Sequence, residues 1–517
     1  MNIQATGHTL GDILRRTGKR FPDKLAIQCG ATEWTYAEFD DICNRLAAGF
    51  GANGVGAGDR VAILARNSHA FAAVRFALAR IGAVLVPVNF MLHAEDIRYI
   101  LHHSGATLLC VDDEHMDVGR TACADTSVAK IVWLPGEEET RAAPGTLTFD
   151  QLLTYGAAPP FHDIDGNALA QIIYTSGTES RPKGAMLSHG AVIAEYVSAI
   201  IGIDIAEGDR VLHALPLFHC AQLDVFLGPC VYVGATSIIT AKPTPQNLLS
   251  LIEHKRISSF FAPPTVWIAL LRSPLFDLAD LSPLHKGYYG ASIMPVEVLR
   301  ELQMRAPKVR LWNLYGQTEI GPLAIVLKPE EQLSKAGAAG RPVLNVESRV
   351  VDEQMNDVPA GAVGEIVHRS PQLLSAYYRD EERSAAAFEG GWFHSGDLGT
   401  IDAEGYITIV DRKKDMIKSG GENIASREVE DVIYLLDGVS EVAVIALPDP
   451  KWIEAVVAVV VAKSGCTLTE SAVLAHCGAR LSAFKVPKKV ILTQALPKNA
   501  TGKVLKRDLR LLYQPAA

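Results

Sequence analysis

No apolar run in this chain is long enough to cross a bilayer. The most apolar stretch, "EAVVAVVVAK" from Glu454 to Lys463, falls far short of the roughly 20 residues a spanning helix needs and reads as a buried strand. The opening "MNIQATGHTLGDILRR" has no apolar core, so no secretory signal is expected. Positive charge is not in excess either. Against 49 Lys and Arg stand 58 Asp and Glu, a net charge of −9, which argues against a nucleic-acid or membrane-surface partner. The eight cysteines include no CxxC pair and no Cys/His cluster, so neither a zinc site nor a disulfide framework is predicted. A reducing cytoplasm is the expected home. What is present is a globular composition, 48% apolar and 21% charged, in 517 residues, too many for one core. Two or more domains follow.

One stretch stands out: "YTSGTESRPKGAMLSH", Tyr174 to His189, with hydroxyls, glycines, a proline and a lysine. It follows a strand-like "ALAQIIY" and precedes "HGAVIAEYVSAII", whose apolar spacing is helical. Strand, Gly/Ser/Thr loop and helix form a platform for phosphate, since backbone N–H groups and a helix N-terminus converge there. The order is not that of a P-loop, because Lys183 precedes Gly184 and no Ser or Thr follows.

The loop sits inside a repeating pattern. From Asp59, "RVAILARN", "SHAFAAVRFALARIGA", "VLVPVN", "AEDIRYILHHSGA" and "TLLCVDD" alternate strand and helix, as in a doubly wound parallel sheet. The alternation resumes after the loop and runs to "VRLWNLYG", giving a second such sheet. Between about 338 and 400, strands alternate with Asp/Gly/Pro turns, predicting a small antiparallel sheet or barrel. The last hundred residues mix strands and helices in a compact α+β domain. The charged "DRKKD…KSGG" ahead of it predicts a hinge. The expected division is 1–413 and a mobile 414–517, with the hinge at Lys414.

Four further stretches concentrate polar residues and glycines where predicted strands end: "YYGAS" (288–292), "NLYGQTE" (313–319), "WFHSGDLG" (392–399) and "LPKNATGKVLKRDLR" (496–510). Ligands of open α/β sheets bind at the carboxyl ends of strands. In this order, with "YTSGTESRPKG" ahead and "DRKKDMIKSGGENI" between, the chain resembles the AMP-forming acyl-CoA synthetases. These are related to non-ribosomal-peptide adenylation domains and beetle luciferases. The resemblance runs from about Thr9 to Tyr513.

The resemblance implies ATP, Mg²⁺ and coenzyme A, and it implies roles. A carboxylate must meet the α-phosphate of ATP, and two anions repel strongly at low dielectric. Lys183, with Thr175, Ser176, Gly177 and Thr178, would cradle the β- and γ-phosphates. Glu319 would hold Mg²⁺ and Thr318 would contact the α-phosphate. Tyr315 would face the adenine, with Gly290, Ala291, Ser292, Asn313 and Gly316 along its edge. Asp397 would accept the ribose hydroxyls, assisted by Arg412. Lys503 would reach the carboxylate and α-phosphate during adenylation. Rotation about Lys414 would then present Lys418, Gly420 and Gly421 to pantetheine. His219 matches an aromatic position at the mouth of the acyl pocket. AMP is the leaving group, so no protein nucleophile is needed.

Two residues depart from the pattern: Glu179 stands inside the phosphate loop, and Ser426 replaces a common proline. The expected activity is an ATP- and CoA-dependent ligase for an aliphatic acid of medium or long chain. The rivals are transfer to a carrier protein, a CoA ligase for an aromatic or short-chain acid, and a non-catalytic nucleotide-binding homologue. Retention of Lys503, Lys183, Glu319 and Asp397 counts against the last. The expected assembly is a monomer or homodimer.

Overall fold

The computed structural model describes residues 8–138, 142, 145–156, 164–175, 181–290, 292, 294–420, 422–463, 465–498 and 504–514. The chain forms two compact units, one of residues 1–347 and 369–389, the other of 348–368 and 390–517.

Unit 1 holds two mixed sheets. In the first, six parallel strands lie in the order Leu169–Thr175, Val84–Pro87, Arg60–Leu64, Leu108–Val111, Lys130–Trp133 and Leu147–Thr148. In the second, the parallel strands are Arg310–Gly316, Lys286–Gly290, Ser259–Phe261, Arg210–His213, Thr236–Ile239 and Leu25–Cys29, with antiparallel strands at both edges. Helices cover both faces, so the central strands are buried on both sides and their sequences run apolar without alternation. The helices begin where the sequence supplies caps. Thr9 and Asp12 cap Leu10–Arg20 reciprocally, and Thr35 and Glu38 do the same for Tyr36–Ala52.

The stretch 174–189 departs from the expected strand, loop and helix. Lys183–Ser188 is itself a strand, paired antiparallel with Leu169–Thr175 in the register Tyr174↔Gly184 and Thr175↔Lys183. The helix His189–Gly202 starts only after it, capped by Ser188, whose side chain accepts from the Ala191 N–H. A six-residue strand spans ~20 Å, so the loop is closed by a hairpin and not by a helix N-terminus. Glycine is required at 184, because a Cβ there would come within 2.7 Å of Ile172 Cγ2.

Unit 2 carries the antiparallel region as a four-stranded sheet: Glu347–Val351, Gly364–Arg369, Phe393–Ile401 and Ile407–Arg412. Beyond it, Ile453–Ala462 is the central strand of an α+β sheet, flanked by Val439–Asp449 and Lys489–Thr493. One face of this sheet packs on Val429, Ile433 and Val473 and the other on Leu509, which explains the unbroken apolar run at Ala455. Among the described residues no helix is long and apolar enough to cross a membrane.

Candidate active site

In unit 1 the expected residues gather at the carboxyl ends of strands, as the topology requires. Gly290 ends one strand and Asn313, Tyr315 and Gly316 lie at the end of its parallel neighbour, with Gly290 opposite Leu314. A side chain at Gly290 would meet the Leu314 carbonyl oxygen, and one at Gly316 would collide with that of Pro322. The backbones approach too closely for anything but glycine. The Asn313 amide donates to the Ala338 carbonyl at 3.2 Å, and Ser292 is exposed.

After Gly316 the chain makes a 3-10 turn, Thr318–Ile320, which carries Thr318 and Glu319. The Thr318 hydroxyl lies 3.2 Å from Cys220 Sγ. Burial pushes the Cys220 thiol well up, so it is held neutral and is no nucleophile. One residue before it, His219 accepts the Ala221 N–H on Nδ1 at 3.2 Å. Lys183, the first residue of its strand, holds its ammonium 5.1 Å from the centre of the Tyr377 ring. The Tyr377 hydroxyl donates to Glu319 Oε1 at 3.0 Å. Thr175 is the register partner of Lys183. Thus Lys183, Thr175, Thr318, Glu319 and His219 all belong to this unit, with Tyr377 joining two of them.

No group of three or more His, Cys, Asp or Glu among the described residues could cage a metal. The part-exposed carboxylate of Glu319 fits Mg²⁺ brought in with the nucleotide, since that ion uses one or two carboxylates plus phosphate oxygens.

Behind His219, the π-helical turn Ala221–Leu227 buries Asp224 completely. Arg75 Nη2 meets Asp224 Oδ1 at 2.6 Å, and Gln171 Nε2 donates to Oδ2 at 2.8 Å. Arg75 also bonds Gln171, and its Nη2 donates to the Tyr196 hydroxyl at 3.2 Å. This buried carboxylate is therefore paired inside the protein. In the same turn Phe226 stacks on Phe261 with ring centres 4.7 Å apart and lies 5.1 Å from Tyr288.

In unit 2, Asp397 and Arg412 are register partners on adjacent strands, with Arg412 Nε 3.3 Å from Asp397 Oδ1. Lys414 follows, its ammonium drawn down to about 8 by burial and by the Arg412 charge. Lys418 is exposed, and Gly420 has φ +62° with the Trp452 ring against it, which alone demands glycine there. Ser426 donates from its N–H and its hydroxyl to Asp411 Oδ2 at 2.6 and 2.7 Å, a pair of bonds proline could not make. Ser176, Gly177, Thr178, Ala291, Gly421 and Lys503, as well as Glu179, lie outside the described residues.

Sequence reasoning missed Tyr377, Arg75 and Glu195. Tyr377 sits on a two-residue strand, Ala376–Tyr377, too short for any periodic signal. Arg75 lies in an apolar helix far from Asp224 in sequence, and only the fold joins them.

The AMP-binding enzyme family matches residues 14–378, and the AMP-binding enzyme C-terminal domain matches 428–503. The chain is 36% identical to a feruloyl-CoA synthase of Amycolatopsis sp, covering 97% of this chain and 98% of that one. It is also 36% identical to an indoleacetate–CoA ligase of Aromatoleum aromaticum, over 95% of each. A long-chain-fatty-acid–CoA ligase of Mycobacterium tuberculosis is 35% identical over 93% of each. Among solved structures, an anthranilate CoA ligase in complex with anthranoyl-AMP superposes with a TM-score of 0.90 at 25% identity, covering 99% of both chains. Clustered glycines at strand ends, a lysine and a glutamate that both contact Tyr377, and full-length likeness to CoA ligases lead to one conclusion. This chain belongs to the AMP-binding, adenylate-forming enzymes and is an AMP-forming acid–thiol ligase that joins a carboxylic acid to coenzyme A at the expense of ATP.

Proposed function

We propose that the acid is a compact aromatic or aryl-substituted monocarboxylate, in place of the medium- or long-chain fatty acid expected from sequence. The observation that carries this is the aromatic block behind His219: Phe226, Phe261 and Tyr288, with Trp312 5.2 Å beyond Tyr288, all buried. The full-length likeness to ligases named for ferulate and indoleacetate supports the same reading. The likeness to a long-chain ligase keeps the fatty acid as the second reading.

In this reading the acid's oxygen attacks the α-phosphorus, the bond to the β-phosphate oxygen breaks, and pyrophosphate leaves. Lys183, Thr175 and the loop residues Ser176, Gly177 and Thr178 hold the β- and γ-phosphates. Thr318 meets the α-phosphate, and Lys503 neutralises the charge where bonds change. Glu319 would hold Mg²⁺ together with phosphate oxygens, and the ion would offset charge on the leaving pyrophosphate. Tyr315, Asn313, Gly290, Ala291, Ser292 and Gly316 take the adenine, and Asp397 and Arg412 take the ribose. Residues 414–517 then turn about Lys414 and bring Lys418, Gly420 and Gly421 to the pantetheine arm. The thiol attacks the acyl carbon and AMP leaves, with His219 at the mouth of the pocket. Eight free cysteines suit a reducing cytoplasm.

The test is CoA-dependent AMP release with ferulate, indoleacetate and anthranilate against hexanoate, octanoate and palmitate. Aryl acids should give the higher kcat/KM. A maximum at octanoate or palmitate would restore the fatty-acid reading, and AMP release that ignores CoA would point to a carrier-protein acceptor.

A further inference from the structure

Residues 369–389 are an excursion. The chain leaves the antiparallel sheet of unit 2 after His368, contributes to unit 1, and rejoins unit 2 at Gly390. Several of its anchors lie at the candidate active site. The strand Ala376–Tyr377 pairs with Lys183–Ser188 in the register Tyr377↔Ala185. The Tyr378 N–H donates to the Gly184 carbonyl at 2.8 Å, and the Leu374 N–H donates to the Glu319 carbonyl at 2.8 Å. Gln372 donates to the carbonyls of Ile320 and Leu323 at 2.8 and 2.6 Å, pinning the Glu319 turn from the other side. The segment thus spans the lysine strand and the glutamate turn, and what it inserts between them is Tyr377.

That side chain does two things. Its hydroxyl donates to Glu319 Oε1 at 3.0 Å, and its ring face receives the Lys183 ammonium. Among the described residues Lys183 pairs with no carboxylate, and its ammonium lies against the ring instead. A neutral donor orients the carboxylate without cancelling its charge, which a cation in the same place would do. Burial and the Glu319 charge push the phenol's pKa up, which keeps its proton in place.

We propose that Tyr377 is a positioning residue: it aims the Glu319 carboxylate for the divalent cation that accompanies ATP and holds Lys183 ready for the phosphates. The proposal rests on reading Glu319 as the metal carboxylate. The experiment is equilibrium binding of ATP by calorimetry, without acid substrate, in excess MgCl₂ and in EDTA, for the full chain and its Tyr377→Phe and Glu319→Gln variants. Thermal unfolding of each is recorded alongside. Phenylalanine keeps the ring and removes only the donor. Tyr377→Phe should keep the wild-type melting temperature and EDTA affinity, and should lose about tenfold of the Mg²⁺ enhancement, as expected for one hydrogen bond to a charged group. Glu319→Gln should lose the enhancement altogether. An unchanged enhancement in Tyr377→Phe, with Glu319→Gln defective, would overturn the role of Tyr377 alone. Equal losses with and without Mg²⁺, accompanied by a lower melting temperature, would make Tyr377 structural and overturn it too. A wild-type chain with no Mg²⁺ enhancement would overturn the reading of Glu319 and this proposal with it.

Discussion

Glu195 allows a test of the site's electrostatics that needs no substrate. It lies in the helix His189–Gly202, is 0% exposed, and neither of its carboxyl oxygens has a hydrogen-bond partner among the described residues. Its methylenes pack against Gly321, where a Cβ would come within 3.1 Å of them. Burial first, then the nearby Asp224 carboxylate, push its pKa well above the ordinary 4.5, with Arg75 opposing. The folded chain therefore keeps this proton where the unfolded chain releases it. Stability from this group is complete below about 4.5 and falls as pH rises toward the raised value, by about 1.4 kcal/mol per pH unit for one proton. Glu195→Gln removes the titration and leaves every other group common to both proteins. Urea unfolding is followed by tryptophan fluorescence at half-unit steps from pH 5.5 to 7.5. The wild type should lose stability relative to the variant as pH rises across that range, by at most about 1.4 kcal/mol per unit. The buried amide of glutamine displaces the whole curve but not its slope. A gap that stays constant with pH would mean that Glu195 ionises alike in both states, and the reasoning would fail.

Other changes separate the remaining roles. Lys183→Ala should raise the KM for ATP well beyond tenfold, while Glu179→Thr should change it less than about tenfold, because a screened charge about 4 Å away contributes only ~1 kcal/mol; a collapse of activity in Glu179→Thr would reveal a positive role for that glutamate. Lys503→Ala should abolish acyl-AMP formation and spare thioester formation from supplied acyl-AMP, and Lys414→Pro should do the reverse; equal loss of both steps in both folded variants would remove the hinge. Ser426→Pro deletes both donors to the buried Asp411 and should cost about 2–4 kcal/mol, since hydrogen bonds to charged groups are worth about 1.5–3 each and proline at the first helical position returns part of that. Thermal unfolding at unchanged melting temperature would show that the two bonds contribute nothing.

The alternation of strands and helices was readable because strands buried on both faces are mostly apolar, and "VAIL" (61–64) and "LLCV" (108–111) are apolar throughout. The glycines at 290 and 316 were readable for the same physical reason, as backbone crowding leaves them no substitute. The strand Lys183–Ser188 was not. Its proline-led, glycine-containing start reads as a turn, and only pairing with Leu169–Thr175 makes it extended. Tyr377 was invisible because its meaning lies wholly in distant partners, a lysine and a glutamate that the fold brings to its two ends. Asp224 raised a question in the sequence that Arg75 answers, and neither residue carries a local sign of the other.

That answer bears on the acid. Asp224 stands five residues past His219, in a segment otherwise almost free of charge, where a carboxylate invites a substrate ammonium. Its oxygens are already spent, one on Arg75 and the other on Gln171, and both members of the ion pair are buried. Removing one partner of such a pair typically costs 3–5 kcal/mol, so the set holds as a unit and leaves no carboxylate for an amino acid. Glu195 beside it is fully buried too, and burial pushes its pKa well up. What the turn after His219 still presents is aromatic carbon, Phe226 stacked on Phe261. An aryl group can add an offset or edge contact to such rings, worth about 0.5–1.5 kcal/mol beyond burial of its area. A saturated chain has no counterpart to that term. The proposed preference for a flat, uncharged acyl group rests on the pairing of Asp224 and the stacking of Phe226 together, and neither alone would select it.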